Sequence, residues 1–314
     1  MKFWYRRGAI AWLLWPVSLL FGIAVGVRRA LYALRVLKSA HPGIPVIVVG
    51  NLTVGGTGKT PLVLWIAEFL RSKGWSPAII SRGYGASVSA PRAATIASTA
   101  SEVGDEPIVL ARRSGCPVWV GPDRVQVATA LRAQHPEVDV LVLDDGLQHY
   151  RVRRDLEIAV VDARGFGNGF LLPAGPMREP KRRLRSVDAV VSQLRLEGST
   201  AHRMTDARER APLASFKRVH AAAGIGDPER FFGHLRKAGL EVVPHSFPDH
   251  HRFAPADLDF GDDAPVLLTE KDAVKLRGAA RPNWWVLPVS AEPEAAFRAW
   301  LAQQLDDWRR PEAA

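Results

Sequence analysis

The chain has only one cysteine, Cys116, among its 314 residues. A single thiol excludes an intrachain disulfide and a metal cluster built from cysteines, and it is typical of a protein from a reducing compartment. Cys116 lies in the segment Gly115-Cys-Pro-Val-Trp-Val120, which predicts a turn that enters a buried strand. We therefore interpret the thiol as a structural residue and not as a nucleophile.

Acidic residues are too few to balance the basic ones. Asp and Glu total 32 against 42 Lys and Arg, so the formal net charge is +10. Such a surplus favours anionic partners, namely nucleic acid, acidic lipid or a phosphorylated substrate. Basic stretches interleaved with aromatic residues are missing, and nucleic acid is therefore not expected as a partner.

Charged residues are absent from Gly8 to Val27, and basic residues flank this stretch on both sides. Its length reaches the roughly 18 apolar residues needed to span a membrane. A cleaved signal peptide, a full span, a helix lying in the inner leaflet and a helix packed on a soluble core are the alternatives. No convincing cleavage site follows Val27, and Pro16 weakens a full span. We expect residues 1–40 to form an apolar, membrane-associated helical region.

Apolar segments of strand length alternate with helical segments from residue 41 to 195. Strands are predicted at 45–51, 77–81, 117–120, 138–144, 156–162 and 187–192, with a helix from Lys59 to about Arg71. This alternation predicts an α/β fold with a mostly parallel sheet between layers of helices.

The remainder of the chain predicts a second, smaller α/β lobe. Residues 196–215 are polar, and we interpret them as a linker. Strands near 218–222, 241–244, 266–269 and 285–289, with helices at 228–238 and 292–308, then predict a C-terminal lobe over 216–314.

A glycine-rich segment lies between the first predicted strand and the first helix. It matches the phosphate-binding loop of P-loop NTPases, except that Thr53 replaces the first glycine. Backbone N–H groups and the helix N-terminus would hold the phosphates of ATP, Lys59 would reach the β- and γ-phosphates, and Thr60 would bind Mg²⁺. The predicted nucleotide-binding residues are Thr53, Val54, Gly55, Gly56, Thr57, Gly58, Lys59 and Thr60.

Two carboxylates follow the apolar strand at 138–144. Asp144 and Asp145 would lie at the carboxyl edge of the sheet, where the sites of α/β proteins form. Asp144 is predicted to bind Mg²⁺ and Asp145 to support it; a hydrogen-bonded turn is the alternative.

Six motifs occur in order between Val49 and Lys275. The motifs are Val49-Gly-Asn-Leu-Thr-Val-Gly-Gly-Thr-Gly-Lys-Thr-Pro61, Ser81-Arg-Gly-Tyr-Gly85, Val103-Gly-Asp-Glu-Pro107, Asp144-Asp-Gly-Leu-Gln-His149, Leu172-Pro-Ala-Gly-Pro-Met-Arg-Glu-Pro180 and Thr269-Glu-Lys-Asp-Ala-Val-Lys275. Together they resemble the tetraacyldisaccharide 4'-kinase family, the lipid A 4'-kinases, in which the loop also carries threonine in place of the first glycine.

The resemblance implies phosphorylation by ATP of the 4'-hydroxyl of a tetraacyldisaccharide 1-phosphate, giving lipid IVA, at the cytoplasmic side of the inner membrane. It also implies that Asp105 is the catalytic base and that His250, from the second lobe, is its partner. Further residues match family positions near the nucleotide or the sugar: Arg82, Tyr84, Glu106, Arg124, Gln148, His149, Arg178 and Glu179.

A cytosolic P-loop GTPase or ATPase of another function is the alternative, but the guanine-reading Asn-Lys-x-Asp stretch is missing. The basic run from Arg178 to Arg185 is either a solvated loop or a contact for the 1-phosphate of the substrate or for anionic lipid.

Overall fold

The computed structural model describes residues 2–56, 58–192, 194–276 and 278–309. Thr57, one of the predicted nucleotide-binding residues, lies outside them. Within the described residues the chain forms two lobes, each built on one main sheet. The predicted α/β architecture is confirmed.

The sheet of the first lobe has seven strands in the order β3-β4-β2-β5-β1-β6-β7. All neighbours are parallel except β3, which runs antiparallel to β4 at one edge. Its three residues lack an apolar run, so β3 was not predicted. The strands are β1 (Val46–Gly50), β2 (Pro77–Ser81), β3 (Arg92–Ala94), β4 (Val118–Val120), β5 (Val140–Asp144), β6 (Leu156–Val160) and β7 (Ala189–Val191).

Helices cover both faces of this sheet because apolar side chains on β1, β2 and β5 alternate between two separate buried clusters. The second helix of the chain packs Leu62, Ile66 and Leu70 into one of these clusters, and all three side chains are fully buried. The helices that precede the second lobe are α1 (Ala9–Ala33), α2 (Lys59–Ser72), α3 (Ala100–Val103), α4 (Asp105–Arg113) and α5 (Arg124–Gln134).

The sheet of the second lobe has the order β10-β9-β14-β13-β11-β12. Its four predicted strands are parallel, and two unpredicted strands, β9 and β10, add to the edge in antiparallel fashion. The helices and strands of the chain after β7, in this lobe and beside it, are β8 (Arg195–Glu197), β9 (Thr200–Arg203), β10 (Arg210–Pro212), β11 (Arg218–Ala223), α6 (Pro228–Lys237), β12 (Glu241–Ser246), β13 (Val266–Thr269), α7 (Glu270–Ala273), β14 (Trp284–Leu287), β15 (Ser290–Glu292) and α8 (Ala295–Arg309).

The segment predicted as a linker, 196–215, is therefore not a structureless connection. It contains β9 and β10, which pair with each other and with β14. Edge strands are half exposed and need few apolar residues. Because β9 and β10 are polar edge strands, their sequence predicted a linker instead of two strands.

A two-stranded antiparallel ribbon joins the lobes. The chain leaves the first lobe through β8 and returns through β15, and these two strands pair over Arg195–Glu292, Leu196–Ala291 and Glu197–Ser290. The helix α8 then packs on the first lobe, where Leu301 and Leu305 are buried in the same cluster as α2. The prediction placed this helix in the second lobe, because an amphipathic pattern identifies a buried face but not the surface that covers it.

The N-terminal helix α1 lies on the first lobe along a narrow face. Ser18 is buried: its hydroxyl donates to the carbonyl of Leu171 at 2.9 Å and accepts the N–H of Ala174 at 3.0 Å. Most other side chains of α1 are exposed, including Leu13, Leu20 and Ile23. The helix has 25 residues, and a stretch of 18 residues within it has a mean hydropathy of 2.1, so the helix is long and apolar enough to cross a membrane. A core helix of a soluble protein could match it in length and composition, but would be mostly buried.

Candidate active site

The phosphate-binding loop follows β1 and precedes α2, as predicted. Gly55 and Gly58 have φ values of 106° and 85°, a backbone region that favours glycine. Thr53 is buried and forms a β-bridge with Met177, while the N–H of Val54 donates to the carbonyl of Pro176 at 2.8 Å. Thr53, which replaces the first glycine, therefore connects the loop to the segment that carries Arg178.

Lys59 begins α2 and reaches back across the loop. Its ammonium donates to Asn51 Oδ1 at 3.2 Å and lies 3.4 Å from Asp145 Oδ1. Asn51 is fully buried at the end of β1 and also accepts from Arg178 at 2.7 Å. Asn51 belongs to the first family motif, but nothing in its residue type alone indicated a role in holding the lysine.

The carboxylates Asp144 and Asp145 lie at the carboxyl end of β5, next to β1, as predicted. Asp144 is buried and accepts from Ser81 through Oδ2 at 3.3 Å, and its Oδ1 has no hydrogen-bond partner among the described residues. Burial, with Glu106 nearby, raises the pKa of Asp144 to about 7. A buried carboxylate oxygen without a donor suits a cation. The donor set of Asp144, Asp145 and the Thr60 hydroxyl therefore fits Mg²⁺.

Asp145 differs from its neighbour because cations surround it. Burial opposes its ionisation, but Lys59 and Arg178 outweigh burial and lower the pKa of Asp145. Arg178 binds both carboxylate oxygens at 3.0 and 3.2 Å. Asp145 has a φ of 51°, an unfavourable conformation for a residue with a side chain, so the surrounding contacts hold it there.

Asp105 and His250 meet across the two lobes. Asp105 begins α4, His250 follows β12, and His250 Nδ1 lies 3.1 Å from Asp105 Oδ2. The hydrogen bond to Asp105 raises the pKa of His250, against the opposing effects of burial and Lys271. Burial would raise the pKa of Asp105, but His250, Lys271 and Lys275 lower it. The pairing implied by the resemblance is present in the fold.

Two lysines from the last family motif also contact this pair, and residue-based reasoning assigned them no role. Lys275 Nζ lies 3.5 Å from Asp105 Oδ2 and 2.8 Å from the buried Asp272. Lys271 Nζ lies 3.1 Å from Glu106 and 3.3 Å from His250 Nε2. Both lysines belong to the motif at 269–275, but residue spacing alone did not show that this motif lies beside Asp105.

The other predicted residues form a network on the first lobe. Arg178 also contacts Gln148, and Gln148 donates to Glu179 at 3.2 Å. Glu179 is buried and accepts a short hydrogen bond from Tyr150, a residue that the sequence did not single out.

Tyr84 is exposed, and its ring lies 4.8 Å from that of His250.

Arg124 and His149 lie in a positively charged part of the site with Arg82. Burial lowers the pKa of Arg124 to about 10, although Asp144 and Asp145 oppose this shift. Its Nη1 donates to Gly121 at 3.0 Å, whereas Nε and Nη2 have no hydrogen-bond partner among the described residues. Burial, then Arg124 and Arg82, lower the pKa of His149 to about 3, so this imidazole is neutral.

The basic run at 178–185 needs a correction at Arg183. This side chain is buried and binds Glu157 through two hydrogen bonds of 2.6 and 2.7 Å. It therefore stabilises the first lobe and is not available to lipid or substrate. Lys181, Arg182 and Arg185 are exposed.

A cavity of about 490 Å³ lies between the phosphate-binding loop and the second lobe. The lobes approach so closely beside it that a Cβ added to Gly226 would lie 2.5 Å from the backbone N of Gly56. Arg164 bridges the same place by donating to the carbonyls of Gly56 and Gly226. Residues lining the cavity include Gly56, Gly58, Lys59, Thr60, Glu106, Asp227, Arg230, His234, Lys237, Thr269 and Lys271.

A mostly parallel sheet with a phosphate-binding loop after an interior strand, a lysine and an acidic pair beside that loop, and a carboxylate–histidine pair across the cleft define a P-loop phosphotransferase. The family model described as LpxK, tetraacyldisaccharide-1-P 4'-kinase, matches residues 10–306. The chain belongs to this family, and the kinase assignment made from the sequence is confirmed.

Named relatives agree over nearly the whole length. The chain is 47% identical to the tetraacyldisaccharide 4'-kinase of Azoarcus sp. (strain BH72), with 99% of this chain and 96% of that protein aligned. It is 48% identical to that of Thiobacillus denitrificans, over 97% of this chain and 98% of that protein. The crystal structure of the "apo" form of LpxK from Aquifex aeolicus in complex with ATP is similar with a TM-score of 0.78 and 28% identity, covering 93% of this chain and 98% of that one.

Proposed function

We propose that the protein transfers the γ-phosphate of ATP to the 4'-hydroxyl of tetraacyldisaccharide 1-phosphate and gives lipid IVA. The contact between Asp105 and His250 carries this proposal, since it sets a proton acceptor beside the cavity that the phosphate-binding loop lines. Glu106, next to Asp105 in the chain, lines that cavity with Lys59 and Thr60.

The donor half of the site is the loop at 53–60. Its N–H groups and the N-terminus of α2 suit the phosphates of ATP, and Lys59 has the reach to follow them because its ammonium already crosses the loop. A magnesium ion held by Thr60, Asp144 and Asp145 would neutralise charge on the β- and γ-phosphates. The buried Oδ1 of Asp144, which has no hydrogen-bond partner from the residues that the structure describes, supports this assignment.

The acceptor half centres on Asp105. A sugar hydroxyl is a weak nucleophile, so it must be aligned with the phosphate and must lose its proton during transfer. Asp105 is a carboxylate because its cationic neighbours lower its pKa, and it can accept that proton. His250 orients the carboxylate by a hydrogen bond to Oδ2.

Arg82 and Arg124 suit the phosphate groups of the two substrates. A guanidinium binds phosphate through two parallel hydrogen bonds, and two nitrogens of the buried Arg124 have no hydrogen-bond partner in the described part of the chain. Tyr84 and the neutral His149 would contact the sugar, while Gln148, Arg178 and Glu179 hold the acidic pair and the loop in position.

The proposed reaction is tested by incubating purified protein with γ-labelled ATP, Mg²⁺ and tetraacyldisaccharide 1-phosphate, followed by separation of the lipids. We expect label in a product with one more phosphate on the distal sugar. An ATPase of other function would release labelled inorganic phosphate and leave the lipid unlabelled, and that result would refute the proposal. Omitting Mg²⁺ is the control for the metal assignment.

We also propose that α1 holds the enzyme at the cytoplasmic face of the inner membrane. Its exposed apolar side chains would enter the lipid, while its buried face at Ser18 stays on the first lobe. Arg28, Arg29 and Arg35 follow the apolar stretch and suit anionic headgroups. Cytosolic ATP requires the active site to face the cytoplasm.

Replacing Leu13, Leu20 and Ile23 together with Gln is expected to reduce the vesicle-bound fraction at least about tenfold, because each buried apolar side chain contributes roughly 1.5–3 kcal/mol. The measurement is flotation with vesicles of phosphatidylethanolamine and phosphatidylglycerol. Val190→Gln, an exposed apolar residue on β7, is the control and should bind as the unmodified chain does. Equal flotation of the triple variant would contradict the role of α1.

A further inference from the structure

Lys271 lies at the point where the two lobes and the proposed catalytic pair meet. It belongs to α7 in the second lobe, and its side chain is 16% exposed. Its ammonium lies 3.1 Å from Glu106 Oε1 on the first lobe and 3.3 Å from both Asp249 Oδ1 and His250 Nε2. These three acceptors match the three N–H donors of an ammonium group.

The charge of Lys271 is fixed by its surroundings. Burial alone would lower the pKa of Lys271, but the carboxylates of Glu106, Asp105 and Asp249 outweigh burial and raise it. The side chain is therefore an ammonium at neutral pH. An ammonium only donates hydrogen bonds, so the ring nitrogen of His250 that faces it must accept.

This constraint decides where the ring proton of His250 lies. A neutral imidazole carries one proton, and with Nε2 accepting from Lys271 that proton is on Nδ1. His250 Nδ1 is the atom 3.1 Å from Asp105 Oδ2, so it donates to the carboxylate. The other tautomer would place two lone pairs face to face at this contact.

We propose that Lys271 is a positioning residue that fixes the tautomer of His250 and so keeps Asp105 hydrogen-bonded in the orientation that accepts the substrate proton. The inference rests on the proposed roles of Asp105 and His250. The groups that face His250 are Asp105 on α4, Lys271 on α7, the adjacent Asp249 and the ring of Tyr84.

The same contact opposes a second proton on His250. An imidazolium would direct an Nε2–H at the ammonium of Lys271, and Lys271 accordingly lowers the pKa of His250. A doubly protonated ring would form an ion pair with Asp105 and weaken it as a base. Removing the charge at position 271 should therefore let His250 take up its second proton at higher pH.

The first test is the pH profile of kcat/KM for Lys271→Met in the full-length enzyme. We expect the acidic limb to move up by about one pH unit, so that the variant loses roughly tenfold more activity at pH 6 than at pH 8. Lys271→Arg keeps the charge and should leave the limb in place. Lys217→Met, an exposed lysine on the same lobe, is the matched control.

A uniform loss of activity at every pH in Lys271→Met would indicate a purely structural role and overturn the proposal. A shift of the limb in Lys271→Arg would overturn it as well. If Lys271→Met does not fold, Lys271→Gln takes its place in the same pH profile. This variant loses the charge but keeps a donor, so the limb should still move.

The second test needs no turnover. Nitrogen-15 NMR of histidine-labelled protein reports the tautomer of each ring, and the His250→Gln variant identifies the His250 signals. At pH 8, where the ring is neutral, we expect a protonated Nδ1 and an unprotonated Nε2 in the unmodified chain, with loss of this preference in Lys271→Met. A protonated Nε2 in the unmodified chain would refute the proposal even if the kinase reaction proceeds, and the tautomer assignment would stand even if it does not.

Discussion

Replacing Asp105 with Asn is expected to lower kcat by about 10²–10⁴-fold, the range that a general base contributes. Asn has the size of Asp, so the α4 N-terminus and the interface with the second lobe should persist. Its amide cannot take a proton from the sugar hydroxyl. In the proposed site ATP is held by the loop at 53–60, and its affinity should therefore change little. Single-turnover transfer of labelled phosphate measures the first quantity, and equilibrium binding of a fluorescent ATP analogue measures the second.

Asp263→Asn is the matched control, because Asp263 is an exposed carboxylate on the second lobe. It should retain full activity. Near-normal turnover of the Asp105→Asn variant would reject the role of Asp105 as base. A parallel loss of ATP binding would instead place Asp105 in the nucleotide site.

Replacing Lys59 with Met is expected to lower kcat/KM for ATP by about 10²–10³-fold, as for other preorganised donors to a charged transition state. Lys59 reaches across the loop to Asn51 and Asp145, and no other lysine among the described residues makes these contacts. The loss should therefore affect both the binding of ATP and the transfer step. Initial rates over a range of ATP concentrations, with isothermal titration of ATP, separate the two.

Lys73→Met tests whether the effect is specific to the loop end of α2. Lys73 follows the other end of the same helix and lies over the ring of Phe69. This variant should leave ATP binding and turnover intact. If both variants lost activity equally, the cause would be the stability of α2 rather than phosphate binding.

The first lobe and the donor half of the site could be predicted from the sequence because their signals are local. The buried strands are short apolar runs, and the loop at 53–60 is contiguous in the chain. Asp105 and His250 are 145 positions apart in the chain. Their pairing was predicted from the family resemblance and not from residue spacing. No pattern of residue types would have brought these two side chains together.

Other parts of the site were missed because their role depends on tertiary contacts. Lys271 and Lys275 are ordinary helix residues until the second lobe places them beside Asp105. The positive φ values of Asp145 and His250, 51° and 60°, also have no local sequence signal, since neither residue is glycine. Such backbone strain is maintained by the surrounding contacts and is common at functional sites.

The ribbon of β8 and β15 has a mechanical consequence. A lobe tethered by one strand can turn freely about that strand, whereas this lobe is tethered by two strands whose backbones are hydrogen-bonded in register. Turning one strand independently would break those bonds, so we expect the lobes to move mainly by bending of the ribbon as a unit. We expect this bending to have one main direction, so that each closure would return His250 to the same position beside Asp105. The helix α8 follows β15 and packs on the first lobe, so it anchors that end of the ribbon. Weakening the packing of α8 would therefore make the alignment of the two halves of the site less precise without changing either half.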